Sequence, residues 1–197
     1  MDEWLESEGR PFGWFSEAEG RAYLEAVKRH PKGIIVELGA YLGRSLSFIL
    51  EDAVKLGCQI YAVDLWNWVN NPDPTVRCPP CQVDLFKANL QRMGRESEVH
   101  IVVMDSVEAA NLFDAEVVDV VMIDTTHRCE DTLREIDAWW PKLKHRGELL
   151  FHDYGITSPN WGGFTFVQDA VDKRFRYPDT LYGTLAVIVK TAGRKIS

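Results

Sequence analysis

"GIIVELGAYLGRSLSFIL", residues 33–50, starts as a run of strand-forming aliphatics, crosses two glycines and continues with helical spacing. Strand, glycine turn and helix in that order form the opening unit of an α/β fold, because a strand feeding a right-handed crossover returns the chain parallel to itself. Gly39 and Gly43 permit a sharp turn and a close approach of backbone to a ligand. A helix from Arg44 would aim its free N–H groups at that turn, a cradle for an anionic group. A glycine pair is also what a purely structural turn uses.

Moving outward, the pattern repeats. Strands are predicted at 34–38, 59–65, 99–104, 117–124 and 147–153, almost wholly aliphatic, as strands buried on both faces should be. Helical segments near 44–56, 83–93, 107–112 and 129–144 separate them, each connection long enough for a parallel crossover. Ahead of the first strand, "SEAEGRAYLEAVKRHP" places Ser16 and Glu19 in capping-box spacing and spreads Ala22, Leu24, Ala26 and Val27 along a helix that stops before Pro31. After the fifth strand come a helix in "FTFVQDAVDKRF" and a closing strand at 185–189, joined at Gly183 by a turn short enough to favour an antiparallel partner.

With 197 residues and 46% hydrophobic content, one domain with an ample core is expected over 1–197, with a helical cap at 1–31 and an α/β core at 32–190. A net charge of −8 without a dense Lys/Arg run argues against nucleic acid or an anionic membrane as the main partner and for a small molecule; a homo-oligomer stays open. The acidic start "MDEWLESEGRPFGW" and the absence of an apolar run of bilayer length predict a cytoplasmic protein. Four cysteines, at 58, 78, 81 and 129, are too few and too uneven for a disulfide framework.

Ligands of open parallel sheets bind beyond the carboxyl ends of the strands, near the switch in strand order. There the sequence puts Glu37, Asp64, Asp105, Asp124 and His152-Asp153. One such acid is ordinarily a loop residue or helix cap, but five in register point to a site. Asp64 follows Gly43 by 21 residues, close to the spacing at which an acid takes ribose hydroxyls. The glycines read Glu-x-Gly-x-x-x-Gly rather than Gly-x-Gly-x-x-Gly, which fits a dinucleotide pyrophosphate less well.

At this level "VELGAYLGRS", "AVDLW", "MIDTTHRCEDTLREIDAWWPKLKHRGELLFHDY" and "GTLAVIVK" together resemble the class I S-adenosylmethionine-dependent methyltransferases, over about residues 14–190. More narrowly they resemble the branch of small-molecule and sugar O-methyltransferases and cephalosporin-hydroxylase-like proteins. The resemblance implies a Rossmann-like three-layer sandwich with a seven-stranded, mostly parallel sheet whose last strand is antiparallel. It implies S-adenosyl-L-methionine as cofactor, with Glu37 and Gly39 by its methionine part, Gly43, Ser45 and the helix start near its carboxylate, Asp64 on the ribose, Asp105 and Ser106 near the adenine, and Asp124 and Asp153 facing the transferred methyl.

The similarity to catechol-type O-methyltransferases implies a Mg²⁺ or other divalent cation on Asp124 and Asp153. The chain departs from that pattern at Tyr154, where the family carries Asn, so His127 or His152 would have to complete the set. Imidazole suits Zn²⁺, Fe²⁺ or Mn²⁺ more than Mg²⁺. A hydroxyl acceptor must also lose a proton, and His127 in "IDTTH" is the first candidate base, His152 the second, unless either only bonds the backbone. "RCPPC" lacks a second pair at zinc spacing and reads as loop cysteines. Trp66, Trp68 and Trp161 sit on loops placed to form a lid over an acceptor, although aromatics more often pack. Two rivals stand beside the methyltransferase: a nicotinamide-dependent oxidoreductase, disfavoured by the glycine spacing and by the lack of Tyr-x-x-x-Lys, and a catalytically silent cofactor-binding or interaction module.

Overall fold

The computed structural model describes residues 9–67, 81–157, 166–194 and 196. Seven strands form a single sheet in the order β3-β2-β1-β4-β5-β7-β6, where β1 is Ile34–Leu38, β2 Gln59–Asp64, β3 Val99–Val103, β4 Val118–Ile123, β5 Leu143–Phe151, β6 Thr180–Tyr182 and β7 Leu185–Val189. The first five pair in parallel, while β7 runs antiparallel to both β5 and β6. Strand order reverses between β1 and β4, so the turn after β1 lies at the switch point where open α/β sheets bind ligands.

Alternation along the strands separates two cores. Ile35, Ile60, Ala62, Val120, Met122 and Leu150 face one side, against α1 (Glu17–Lys28), α2 (Leu46–Lys55) and α3 (Gln82–Arg92). Val36, Leu38, Val121, Ile123, Leu149 and Phe151 face the other, against α4 (Ser106–Ala109), α5 (Cys129–Trp139) and α6 (Phe166–Phe175). The three-layer architecture follows directly from this two-residue period between helices.

At α1 the expected capping box is present: Ser16 accepts from the Glu19 N–H and the Glu19 carboxylate accepts from the Ser16 N–H at 2.9 Å. Ala22, Ala26 and Val27 are buried as expected and Leu24 packs against them half-buried; Tyr23 joins the same core fully buried. The helix expected over 129–144 stops at Trp139, because Pro141 has no N–H to continue it and β5 already begins at Leu143. The extra length of β5 is a bulge: Val118 pairs with Leu143 but Val120 with Glu148, and Arg146 takes φ 66° inside it. Beyond the predicted strands, β6 adds a short edge that turns back through Gly183 into β7. Among the described residues no helix is long and apolar enough to cross a membrane.

At the amino ends of the strands, Glu148 of β5 is 3% exposed and takes a bidentate pair from Arg29, both bonds 2.8 Å, plus His30 Nε2 at 3.2 Å. Asp119 of β4 accepts from Lys144 Nζ at 2.8 Å and the Ile34 N–H at 2.9 Å. This ionic network closes the end of the sheet opposite the site.

Candidate active site

Beyond the carboxyl ends of β1, β2, β4 and β5 opens a cavity of 670 Å³. Its floor is the turn after β1. Gly39 has φ +85°, and a Cβ there would stand 1.9 Å from the carbonyl oxygen of Asp124. Asp124 N–H to Leu38 O at 2.9 Å draws the end of β4 to that of β1, and Gly39 N–H to Val63 O at 2.8 Å ties the turn to β2 on the other side. Gly39 is therefore required by packing as well as by the turn. Gly43 has φ +88° and lies against the Phe86 ring. The helix begins later than expected, at Leu46, and the Ser45 hydroxyl points inward, donating to Glu37 Oε1 at 2.5 Å.

Glu37 itself is 1% exposed and sits beneath the cavity wall rather than on it. Burial drives its pKa up to about 8, with the Ser45 bond resisting and the charge of Asp124 adding to the rise. Its Oε2 is buried without a hydrogen-bond partner, next to a Tyr23 hydroxyl that burial and the same carboxylate push well above its ordinary range. The cavity thus has a latent negative charge in its floor.

Asp64 lines the cavity at the end of β2 and is oriented by the backbone, Oδ2 accepting from the Tyr41 N–H at 2.9 Å and Oδ1 from the Trp66 N–H at 2.7 Å. Burial raises its pKa against those bonds. Asp105 also lines the cavity but caps α4, its Oδ1 accepting from the N–H groups of Val107 and Glu108. Ser106 donates to Glu135 Oε1 at 2.5 Å, and Thr125 donates to Glu135 Oε2 at 3.0 Å. Glu135, on α5, is 2% exposed and lines the same cavity; burial lifts its pKa to about 7. Sequence reading missed it; its i+3 and i+4 spacing from Thr132 and to Trp139 puts it on the buried face of α5.

Asp124, His152 and Asp153 converge at the ends of β4 and β5, with ligand-type atoms all within 4.8 Å of one another. His152 Nδ1 is 3.2 Å from Asp124 Oδ1 and 3.5 Å from Asp153 Oδ1, and its Nε2 is 3.6 Å from Glu19 Oε2. Burial opposes a charge on His152, but Asp124, Asp153 and Glu19 outweigh it and hold the pKa well above the ordinary imidazole value. Asp153 is correspondingly lowered, its burial overcome by His152 and His127. His127 lines the cavity with Nε2 at 3.4 Å from Asp153 Oδ2 and 3.8 Å from Asp124 Oδ1. The position that departed from the catechol-type pattern, Tyr154, turns away, its hydroxyl donating to Asp172 at 2.8 Å. The third member of the cluster is instead His152, the residue before Asp153.

All the sequence-derived site residues except Glu37 and Gly43 line this one cavity. Phe12, Trp14 and Phe15 join them from the segment before α1, with Trp14 stacked on Tyr41 at 5.9 Å between centroids. Trp66 is not a lid: it is 7% exposed, packs on Phe86 and donates its indole N–H to Tyr41 O at 2.7 Å. Trp68, Trp161 and Cys78 lie outside the described residues, and Cys81 is an exposed free thiol.

A protein-family model described as a methyltransferase domain matches residues 36–154. No curated protein sequence matches the chain. Among solved structures, the O-methyltransferase NovP superposes with a TM-score of 0.68 at 14% identity, covering 92% of this chain and 84% of that one. A protein from Corynebacterium glutamicum gives 0.67 at 16% identity, over 91% of this chain and 83% of that one. An S-adenosylmethionine-dependent O-methyltransferase from Thermotoga maritima gives 0.64 at 16% identity, over 93% and 69%. At these identities the structures share the fold.

Proposed function

Because the chain belongs to the methyltransferase family whose domain matches residues 36–154, we propose that it transfers the methyl group of S-adenosylmethionine to a hydroxyl of a small molecule. The observation that carries the reading is the convergence on one switch-point cavity of Asp64, Asp124 and His127 around the Gly39 turn.

The donor set suits a cofactor that carries ammonium and sulfonium charges. Asp64 is held by two backbone N–H groups with its carboxylate at the cavity wall, in position for ribose hydroxyls. Glu37, neutral near pH 7 while alone, would ionise beside a cation, since opposite charge reverses the effect of burial. Its Oε2, buried beside the Tyr23 hydroxyl, would gain from a positive charge held above the cavity floor. S-Adenosylmethionine, when bound, would supply an electrophilic methyl carbon whose bond to sulfur breaks as the acceptor oxygen takes it, leaving the sulfur uncharged. The protein's work is alignment and removal of the acceptor proton. We assign proton removal to His127, which faces the cavity beside Asp153 and Asp124, two carboxylates able to stabilise the imidazolium it becomes. His152, enclosed by three carboxylates, holds a proton of its own and keeps Asp124 and Asp153 in place.

Asp124, His152 and Asp153 would also hold a divalent cation, a nitrogen and two oxygens favouring Mn²⁺, Fe²⁺ or Zn²⁺ over Mg²⁺. Such an ion would supply acidification of a bound hydroxyl, and His152 must give up its proton to take part.

The test is a thermal melt with S-adenosylhomocysteine, S-adenosylmethionine or NAD, each with and without Mn²⁺ or Mg²⁺. At a hundredfold excess over Kd a true cofactor stabilises by about 2.7 kcal/mol, or about 5–11 °C for a chain of this size. A shift with the adenosyl ligands that Asp64→Ala abolishes and Asp124→Ala largely preserves supports the reading. A shift with NAD alone, or with none, overturns it. Given a positive melt, labelled methyl transfer to a panel of phenols and sugars then reads acceptor preference.

A further inference from the structure

We propose that Glu19, on the first helix, is a positioning residue for the reaction centre, fixing the ring of His152 and through it the carboxylates of Asp124 and Asp153. The inference rests on the function proposed above.

A capping-box glutamate needs only to reach back over its own helix end, which it can do at the surface. Glu19 does that and more, at 4% exposure. Its Oε2 accepts from the Ser16 N–H at 2.9 Å and the Ser16 hydroxyl at 2.7 Å, its Oε1 accepts from the Thr184 N–H at 3.1 Å and from the Thr184 hydroxyl, and Oε2 faces His152 Nε2 at 3.6 Å. Four donated hydrogen bonds and a facing imidazole compensate the burial of a carboxylate, which would otherwise be costly. The result is a rigid anion behind the histidine, tied to α1 on one side and to the β6–β7 turn on the other.

The geometry gives that anion a consequence. His152 has its Nδ1 edge on Asp124 and Asp153 and its Nε2 edge on Glu19, while Phe15 packs against the ring face with centroids 5.0 Å apart. With carboxylates on both edges, only one ring orientation places a nitrogen toward each. If the rear charge is removed, a flipped ring, which presents carbon to Asp124, loses less by comparison. Carboxylates behind metal-ligating imidazoles fix the ring in this way, and their loss costs on the order of 10–100-fold in metal affinity or activity, the scale expected for His152. A helix outside the matched family domain thereby reaches the centre of the site.

The decisive comparison is Glu19→Gln against Thr184→Val, which weakens the staple to the hairpin but leaves the charge behind His152. We expect Glu19→Gln to lower kcat at least about tenfold with cofactor Kd and acceptor KM within about threefold, and Thr184→Val to lower Tm while leaving kcat within about twofold. Imidazole N–H signals in NMR spectra of the free protein, assigned by their loss in His152→Asn, should shift or broaden in Glu19→Gln and persist in Thr184→Val. Unchanged kcat in Glu19→Gln, or an equal loss in Thr184→Val, overturns the proposal and leaves Glu19 a helix cap. Should the wild type methylate no acceptor, it is the functional reading that has failed. The NMR comparison then decides the positioning role alone, an unchanged His152 signal in Glu19→Gln overturning it. If Glu19→Gln does not fold, Glu19→Asp, too short to meet Ser16, Thr184 and His152 together, takes its place with the same readouts.

Discussion

Gly39→Ala tests the core of the site. A Cβ at this position would lie 1.9 Å from the Asp124 carbonyl oxygen and 2.6 Å from its carbon, where ordinary contact starts at 3.4 Å. The shortfall of about 1.5 Å cannot be met by a side chain swinging aside, because the obstructing atoms are backbone. The ends of β1 and β4 must part, straining Asp124 N–H to Leu38 O between them, and the shift of Gly39 strains its own N–H bond to Val63 O on β2. Each is worth about 0.5–1.5 kcal/mol, and alanine at φ +85° adds about 1–2 kcal/mol. The substitution should therefore cost about 3 kcal/mol, a fall in Tm of about 6–12 °C. Gly193→Ala is the internal control: its φ is +80° but nothing lies within 4 Å of the added atom, so only the same conformational cost of about 1–2 kcal/mol applies. Urea denaturation of both variants isolates the clash by difference. Since the displaced backbone belongs to Asp124, turnover should fall further than stability alone accounts for. If Gly39→Ala is no less stable than Gly193→Ala, the close approach of β1 and β4 is not as described and the argument fails.

Two further outcomes follow from other parts of the molecule. Glu37 holds its proton in the folded protein up to about pH 8 but releases it near 4.5 when unfolded, so between those values the native state binds the extra proton and stability falls as pH rises. The slope from this group is about 1.4 kcal/mol per pH unit. Glu37→Gln should remove it, so that wild type minus variant stability declines between pH 5 and 8 in urea melts; parallel curves would count against a raised Glu37. At the opposite end of the sheet, Arg29→Met leaves buried Glu148 with His30 alone. Because the arginine is half exposed, the cost should be about 2 kcal/mol rather than that of a fully buried pair, with the cofactor-induced Tm shift unchanged. A change in cofactor affinity would show that the two ends of the sheet are coupled.

Much of this molecule is legible in one dimension. Buried parallel strands need apolar residues on both faces, so each strand announces itself, and the residue that ends the run is by necessity the first at the sheet's edge. That is why the pattern alone places Asp64, Asp105, Asp124 and Asp153 at one end of the sheet. Ser16 and Glu19 declared the start of α1 because a capping box is a contact within four residues. Gly39 was visible as a turn.

What the sequence left open are contacts between buried polar groups far apart in the chain. Glu135 lies on a helix where a lone acid ordinarily faces water; only the packing of α5 over Ser106 and Thr125 makes it part of the cavity. For His152 the pattern says only that it ends a strand; that Glu19, Asp124 and Asp153 surround it is decided by packing. Glu19 itself meets Thr184 because β7 inserts antiparallel beside β5 and brings the hairpin turn under α1. Local periodicity determines which face of each element is buried, since it reports the balance of apolar surface against water. Which buried charges then meet is decided by strand order and crossover, which set distances in space that separation along the chain does not encode.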